Sequence, residues 1–272
     1  MGLSDSLLRE MYLDLVQKVI INEIYEDPPL KRSLVGKLLA GVGIYTRHEA
    51  TKKFDHRKRK LGLDWPSVAH SMIGRERMQN LRNLLTDVIQ NQVEGDFVET
   101  GVWRGGACIY AKAIMKSYGI TNRKVWVADS FSGLPKSDGN KYEADKGDIH
   151  SKEEALSVSL EEVENNFNAY GLLDENVEFL VGWFKDTLPK APIYKIGVLR
   201  LDGDMYESTI DAMEALYQKV SPNGYVIVDD YHAVEGCKRA VHDYLDQHCQ
   251  NETVNIEEID GTGVFWKKIS KS

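Results

Sequence analysis

Two apolar runs in this sequence each end in a pair of carboxylates: Leu199-Arg200-Leu201-Asp202-Gly203-Asp204 and Val226-Ile227-Val228-Asp229-Asp230. Short apolar runs bounded by turn-forming residues read as buried strands, so the four acids stand at strand ends and converge on one cleft. Carboxylates gathered there repel one another unless a cation, a proton or solvent relieves them. Oxygen-rich sites select hard divalent ions, and Mg2+ is typically held by a few carboxylates with positions left for water and substrate. Capping of the following helices is the alternative use of some of these acids. A metal on a substrate hydroxyl would lower its pKa and align its oxygen for attack, with Asp204 as candidate general base. His232, two residues beyond Asp230, is the second candidate, although a lone histidine there is as readily structural.

A third run ends Phe97-Val98-Glu99-Thr100-Gly101-Val102-Trp103-Arg104-Gly105-Gly106. Gly101 lets the chain turn where a Cβ would obstruct a ligand, and Gly105 and Gly106 bring the next helix start close to the same place. The pattern is not GxGxxG, because Trp103 stands at the middle glycine, and no GxxxxGK[ST] occurs anywhere. Glu99 would repel a pyrophosphate but suits a cationic amino-acid moiety, or an orienting role in the loop. Val127-Ala128-Asp129-Ser130 places Asp129 at the end of the next strand, the usual position of an acid for ribose hydroxyls. Gly182-Trp183-Phe184 follows a further strand and offers an adenine wall, though core packing explains the two aromatics almost as well.

The elements that must position these groups alternate. Strands are predicted at 96–100, 124–128, 177–181, 196–201 and 224–228, with helices at 106–118, 152–170, 208–220 and 235–248. Apolar strands separated by helices call for a doubly wound, mostly parallel α/β sheet. Segments 255–259 and 264–267 flank Gly261-Thr262-Gly263 and predict a closing hairpin that inserts an antiparallel strand. Upstream, Leu8, Met11, Tyr12, Leu15 and Val19 recur at helical spacing within a helix expected over 5–25. A helix is also expected over 30–39, and another over 75–90 with Met78, Leu81, Leu84, Leu85, Val88 and Ile89 on its buried side. Residues 1–70 therefore read as a helical N-terminal extension and 71–272 as the catalytic domain. The polar stretch from Lys136 to His150 beside the expected site reads as a lid, with simple disorder as the alternative.

With 272 residues, 42% of them hydrophobic, the chain can bury one α/β core with an extension. A net charge of −8 argues against nucleic acid, whose binders cover phosphates with cations. The run Lys52, Lys53, Arg57, Lys58, Arg59 and Lys60 reads as a solvated face or linker, with an anionic partner as the alternative. Cys108, Cys237 and Cys249 lack metal or disulfide spacing, and no export leader or membrane span is evident, so a reducing cytoplasm is expected.

In combination, Glu99–Gly106, Asp129-Ser130-Phe131-Ser132-Gly133-Leu134-Pro135, Leu201-Asp202-Gly203-Asp204-Met205-Tyr206 and Val228-Asp229-Asp230-Tyr231 resemble the macrocin O-methyltransferase (TylF/MycF-like) family. The similarity runs from about Ser71-Met72-Ile73-Gly74-Arg75 to the C-terminus. The resemblance implies a class I methyltransferase fold, S-adenosylmethionine as donor, Mg2+ as metal, and O-methylation of a deoxysugar or similar hydroxyl on a secondary metabolite. It places the metal ligands on Asp202, Asp229 and Asp230 and the base on Asp204. Cofactor contacts fall on the 99–106 loop (Glu99, Thr100, Gly101, Arg104, Gly105 and Gly106), on Asp129 and Ser130, and on Met72. It also implies a homo-oligomer whose N-terminal segments help form a neighbour's site. The competing readings are a phenol or catechol acceptor, a nicotinamide-dependent sugar oxidoreductase, and a non-catalytic relic of the fold.

Overall fold

Period-two alternation along the strands builds the two-faced core. The computed structural model describes residues 4–31, 49–51, 53–250 and 253–269. In it β4 (Asp96–Thr100), β5 (Val125–Asp129), β6 (Val177–Val181), β7 (Ile196–Leu201) and β8 (Val220–Val228) form the parallel part of a seven-stranded sheet. β9 (Glu257–Glu258) and β10 (Val264–Lys267) complete the order β6-β5-β4-β7-β8-β10-β9, with β10 antiparallel to β8, as the hairpin predicted. Phe97, Val125, Val127, Val198 and Ile227 join one apolar cluster, while Val98, Trp126, Ala128, Leu199 and Val226 join the other. Successive side chains on a strand point to opposite faces, so each strand feeds both clusters.

On the first face lie α1 (Asp5–Ile20), α3 (Gly74–Gln90), α4 (Gly106–Ser117) and α5 (Leu160–Ala169). α7 (Tyr206–Leu216) and α8 (Glu235–His248) cover the second, after the short α6 (Phe184–Thr187). The chain winds outward from β4 to β6, then returns to β7, so the strand order switches between β4 and β7. At that switch the Asp202 backbone N–H donates to the Thr100 carbonyl at 2.9 Å, which brings the glycine loop against the first acidic strand end.

Several boundaries differ from the sequence reading. The helix expected over 152–170 begins only at Leu160, because the Ser159 hydroxyl caps it by accepting from the Glu162 N–H at 3.2 Å; tight turns at His150–Lys152 and Glu154–Leu156 precede it. Leu30 and Lys31 lie in β1 (Pro29–Lys31), which pairs with β2 (Glu49–Ala50) and β3 (Trp65–Pro66); the rest of the helix expected over 30–39 lies outside the described residues. In α1 the recurring Leu8, Met11, Tyr12, Leu15 and Val19 are exposed, and the stripe Leu13, Val16, Gln17 and Ile20 packs inward instead. The buried Gln17 donates to the Arg75 carbonyl and accepts from the Tyr110 hydroxyl, which satisfies an otherwise costly polar group.

The basic run proves heterogeneous. Arg59 in α2 (His56–Leu61) is fully buried, bonded to Asp64 and to the carbonyls of Ile21 and Asp27, so it ties the N-terminal segments together. Lys60 pairs with Glu76 at 2.9 Å, whereas Lys53, Arg57 and Lys58 are exposed and Lys52 lies outside the described residues. Cys108, Cys237 and Cys249 are buried thiols that form no disulfide with one another. Among the described residues no helix is long and apolar enough to cross a membrane.

Candidate active site

A cavity of about 390 Å³ opens above the carboxyl ends of β4, β5, β7 and β8. Gly101, Asp129, Ser130, Gly182, Trp183, Phe184 and Met72 line it, together with Asp202, Asp204, Asp229 and Asp230. Open α/β sheets place ligands in this crevice beyond the strand ends.

Gly101 has φ +83°, and a Cβ there would collide with the Asp202 carbonyl oxygen, so only glycine lets the two loops touch. Asp129 accepts from the Val102 and Phe131 N–H groups, each at 2.8 Å, and burial raises its pKa. Its carboxylate thus holds the glycine loop while still lining the cavity. Ser130 is fixed by donating to the Gly133 carbonyl at 2.6 Å.

Glu99, Thr100, Arg104, Gly105 and Gly106 do not line the cavity. Glu99 is buried, pairs with Arg200 and accepts from the Cys108 thiol at 2.8 Å; burial pushes its pKa up to about 7. Its partners stand on β7 and in the first turn of α4. Arg104 donates to the Ala69 carbonyl and stacks on Trp103. Gly106 donates to the His70 carbonyl at 3.0 Å, and a Cβ there would strike that same carbonyl.

The carboxylate oxygens of Asp202, Asp229 and Asp230 lie within 4.8 Å of one another. Two guanidiniums to which the sequence reading gave no role enter this cluster. Arg200 binds Glu99, Asp202 and one oxygen of Asp229, and Arg77 binds the other oxygen of Asp229 together with Asp260. Asp230 instead accepts from the Asp204 N–H at 3.2 Å. Burial, then repulsion from Asp204, Asp202 and Asp229, pushes Asp230 well above the usual carboxylate range. Burial and Asp229 likewise raise Asp202. A buried carboxylate with so little cationic compensation is a donor set that fits a hard divalent ion.

Asp204 adopts a left-handed conformation at φ 56°, and burial followed by repulsion from Asp202 pushes its pKa up to about 7. His232 is not brought to the cavity: its Nε2 lies 3.2 Å from Glu258 and its backbone N–H bonds to Thr262. A different histidine takes that place. His150, at the end of the polar 136–150 stretch, lines the cavity, and its Nδ1 bonds to Asp148 at 2.7 Å. That bond, with the charge of Asp204, pushes its pKa up to about 9 despite burial. The sequence signal was the short spacing Asp148-Ile149-His150, which a local Asx turn closes.

The 136–150 stretch is anchored beside the acids. The buried Asp145 accepts from the Tyr206 and Glu207 N–H groups at 2.7 and 2.9 Å, which caps α7 directly after the Asp202–Asp204 turn. Asp145→Ala is expected to cost about 0.5–2 kcal/mol, as losses of helix N-caps do. A thermal midpoint unchanged by the substitution would show the cap to be idle. Gly62, Leu63 and Trp65 also line the cavity, so the N-terminal segments form one of its walls.

The profile of the Macrocin-O-methyltransferase (TylF) family matches residues 9–268. The 8-demethyl-8-(2,3-dimethoxy-alpha-L-rhamnosyl)-tetracenomycin-C 4'-O-methyltransferase of Streptomyces olivaceus is 46% identical over 97% of this chain and 95% of its own. The Mycinamicin III 3''-O-methyltransferase of Micromonospora griseorubida is 42% identical over 95% of this chain and 96% of its own. The solved structure of the O-methyltransferase NovP superposes with a TM-score of 0.86 at 45% identity, covering 96% of this chain and 100% of that one.

Proposed function

The chain belongs to the macrocin-O-methyltransferase (TylF) family of O-methyltransferases with a class I fold, and from that premise we propose that it methylates a sugar hydroxyl of a glycosylated small molecule. S-adenosylmethionine is the donor, and Asp202, Asp229 and Asp230 hold a divalent cation, Mg2+ in the first instance. The observation that carries this reading is the junction at the sheet switch, where the Gly101 turn, Asp129 and the strand-end acids open into one cavity. The sugar acceptor is supported by relatives whose names carry it: the Streptomyces olivaceus enzyme acts on a rhamnosyl-bearing compound.

When bound, the cation supplies a Lewis acid that lowers the acceptor hydroxyl's pKa. Asp204 is the base that takes the acceptor's hydroxyl proton; the donor, when bound, would supply the methyl group and leave as S-adenosylhomocysteine. His150, held protonated by Asp148 at neutral pH, is unsuited to be the base and instead presents Nε2–H to an oxygen of the acceptor. Asp129, held against the glycine loop by its backbone N–H donors, would meet the ribose hydroxyls from the edge of the cavity, and Trp183 and Phe184 would wall the adenine. The exposed α1 stripe of Leu8, Met11, Tyr12, Leu15 and Val19 supports a homo-oligomer, which light scattering would refute by returning a monomer mass.

Calorimetric titration with S-adenosylhomocysteine, with and without Mg2+ and with NAD as control, tests the donor. Binding of S-adenosylhomocysteine and not of NAD is expected; the reverse, or binding of neither, overturns the reading. Asp129→Ala is expected to weaken S-adenosylhomocysteine about tenfold or more, since a hydrogen bond to a charged group contributes ~1.5–3 kcal/mol. An unchanged dissociation constant would place the ribose elsewhere.

A further inference from the structure

Arg77 is one of two guanidiniums on Asp229; Arg200 spends its other bonds on Glu99 and Asp202, whereas Arg77 reaches the hairpin and the N-terminal wall. Its Nη1 binds Asp229 and its Nε donates to Asp260 at 2.9 Å. Its Nη2 donates to the Gly62 carbonyl at 3.2 Å and approaches the Leu61 carbonyl at 3.5 Å. The side chain is only 5% exposed, and neither Asp229 nor Asp260 has solvent to exchange it for. Asp260 in turn accepts from the Thr262 and Gly263 N–H groups, each at 3.0 Å, which sets the hairpin turn that brings Thr262 to the cavity.

The Leu61–Trp65 segment is shaped around the same group. Gly62 closes α2 in a left-handed conformation at φ 61°, and a Cβ there would collide with Arg77 Nη2 and with the Ile73 backbone. Gly62, Leu63 and Trp65 then form cavity wall. One planar fork therefore bonds a strand-end acid, the hairpin and the N-terminal wall at once.

We infer that Arg77 is a positioning residue that couples the cavity wall at Leu61–Trp65 to the cation site at Asp229. The inference rests on the reading of Asp202, Asp229 and Asp230 as cation ligands. A cation drawing on Asp229 alters the charge that Arg77 faces, and Arg77 transmits the change to the Gly62 carbonyl. By linkage, whatever orders that wall must tighten the cation by the same factor. A lysine keeps the charge but offers a point donor that cannot span the three sides.

The test uses Mn2+ as the probe on the intact protein. Hydrogen–deuterium exchange is followed in the peptide covering Leu61–Trp65, with and without saturating Mn2+, alongside calorimetry of Mn2+ and of S-adenosylhomocysteine. In the native protein Mn2+ is expected to slow exchange in that peptide. In Arg77→Lys the Mn2+ dependence disappears and the Mn2+ dissociation constant rises about 10–100-fold, as for other residues that orient metal ligands, while S-adenosylhomocysteine affinity is unchanged. A merely structural role would raise exchange equally with and without Mn2+. Native protein that binds Mn2+ with no response at Leu61–Trp65, or Arg77→Lys that responds as the native protein does, overturns the coupling alone. Native protein that binds no Mn2+ overturns the cation reading and the coupling with it.

Discussion

Asp229→Asn and Asp230→Asn are both expected to abolish methyl transfer, yet to move the stability of the cation-free protein in opposite directions. Asp229 gives each oxygen to a buried guanidinium, Arg200 on one and Arg77 on the other. Neutralising it leaves two buried cations short of their counter-charge, and breaking buried pairs in this way costs about 3–5 kcal/mol. For a chain of this size that lowers the thermal midpoint by roughly 10 °C. Asp230 stands in the reverse position, with its carboxyl raised by burial and by the three acids around it. An acid whose folded pKa is raised favours the fold while protonated, and that contribution is lost as pH rises through the raised pKa. Asparagine never acquires the charge. In EDTA, Asp230→Asn should therefore melt above the native protein, by a margin that widens from pH 5.5 to pH 8. Calorimetry at the two pH values checks this, and a matching fall in both variants would mean that Asp230 has a cationic partner after all. Retained turnover in Asp230→Asn would remove it from the ligand set.

Most of the sheet was legible because buried parallel strands are written as continuous apolar runs, and each run that ends in an acid or glycine marked a strand end. The Gly101 loop, Asp129 and the four acids could be read for the same reason. Other parts lack a local signature. β1, β2 and β3 are two or three residues long, too short for any period to register. In α1 two apolar stripes share one helix, and spacing alone could not say which one meets the core; burial chose Leu13, Val16 and Ile20. The helix at Leu160 starts late because the Ser159 cap outweighs helical propensity upstream. The larger omission was cationic. Arg200 interrupts an otherwise apolar strand, and Arg77 stands four residues before Leu81 on the inward face of α3. Both were visible as charges in places where a charge must be paired. Counting four acids without them overstated the repulsion at Asp229 and hid its concentration on Asp230.

Asp204→Asn is expected to lower kcat by about 10²–10⁴-fold, the usual contribution of a general base, while Mn2+ and S-adenosylhomocysteine still bind. The substitution is clean on structural grounds. Asparagine tolerates the left-handed backbone that Asp204 adopts, and the Asp204 backbone N–H still reaches Asp230. Its carboxylate lies outside the Asp202, Asp229 and Asp230 cluster, so the cation loses no ligand. His150 supplies the contrast. Its Nδ1 is committed to Asp148, and its pKa near 9 keeps it charged at neutral pH, so it can donate to an acceptor oxygen but has no lone pair to take a proton. His150→Gln retains a donor and is expected to raise KM for the acceptor with a smaller fall in kcat, the pattern of lost binding rather than lost chemistry. Steady-state kinetics on the two variants decides between them. A kcat collapse in His150→Gln with Asp204→Asn nearly active would transfer the base to the histidine. It would also require Asp148 to orient a neutral ring, so that the 136–150 stretch would carry the proton-accepting group rather than an acceptor contact.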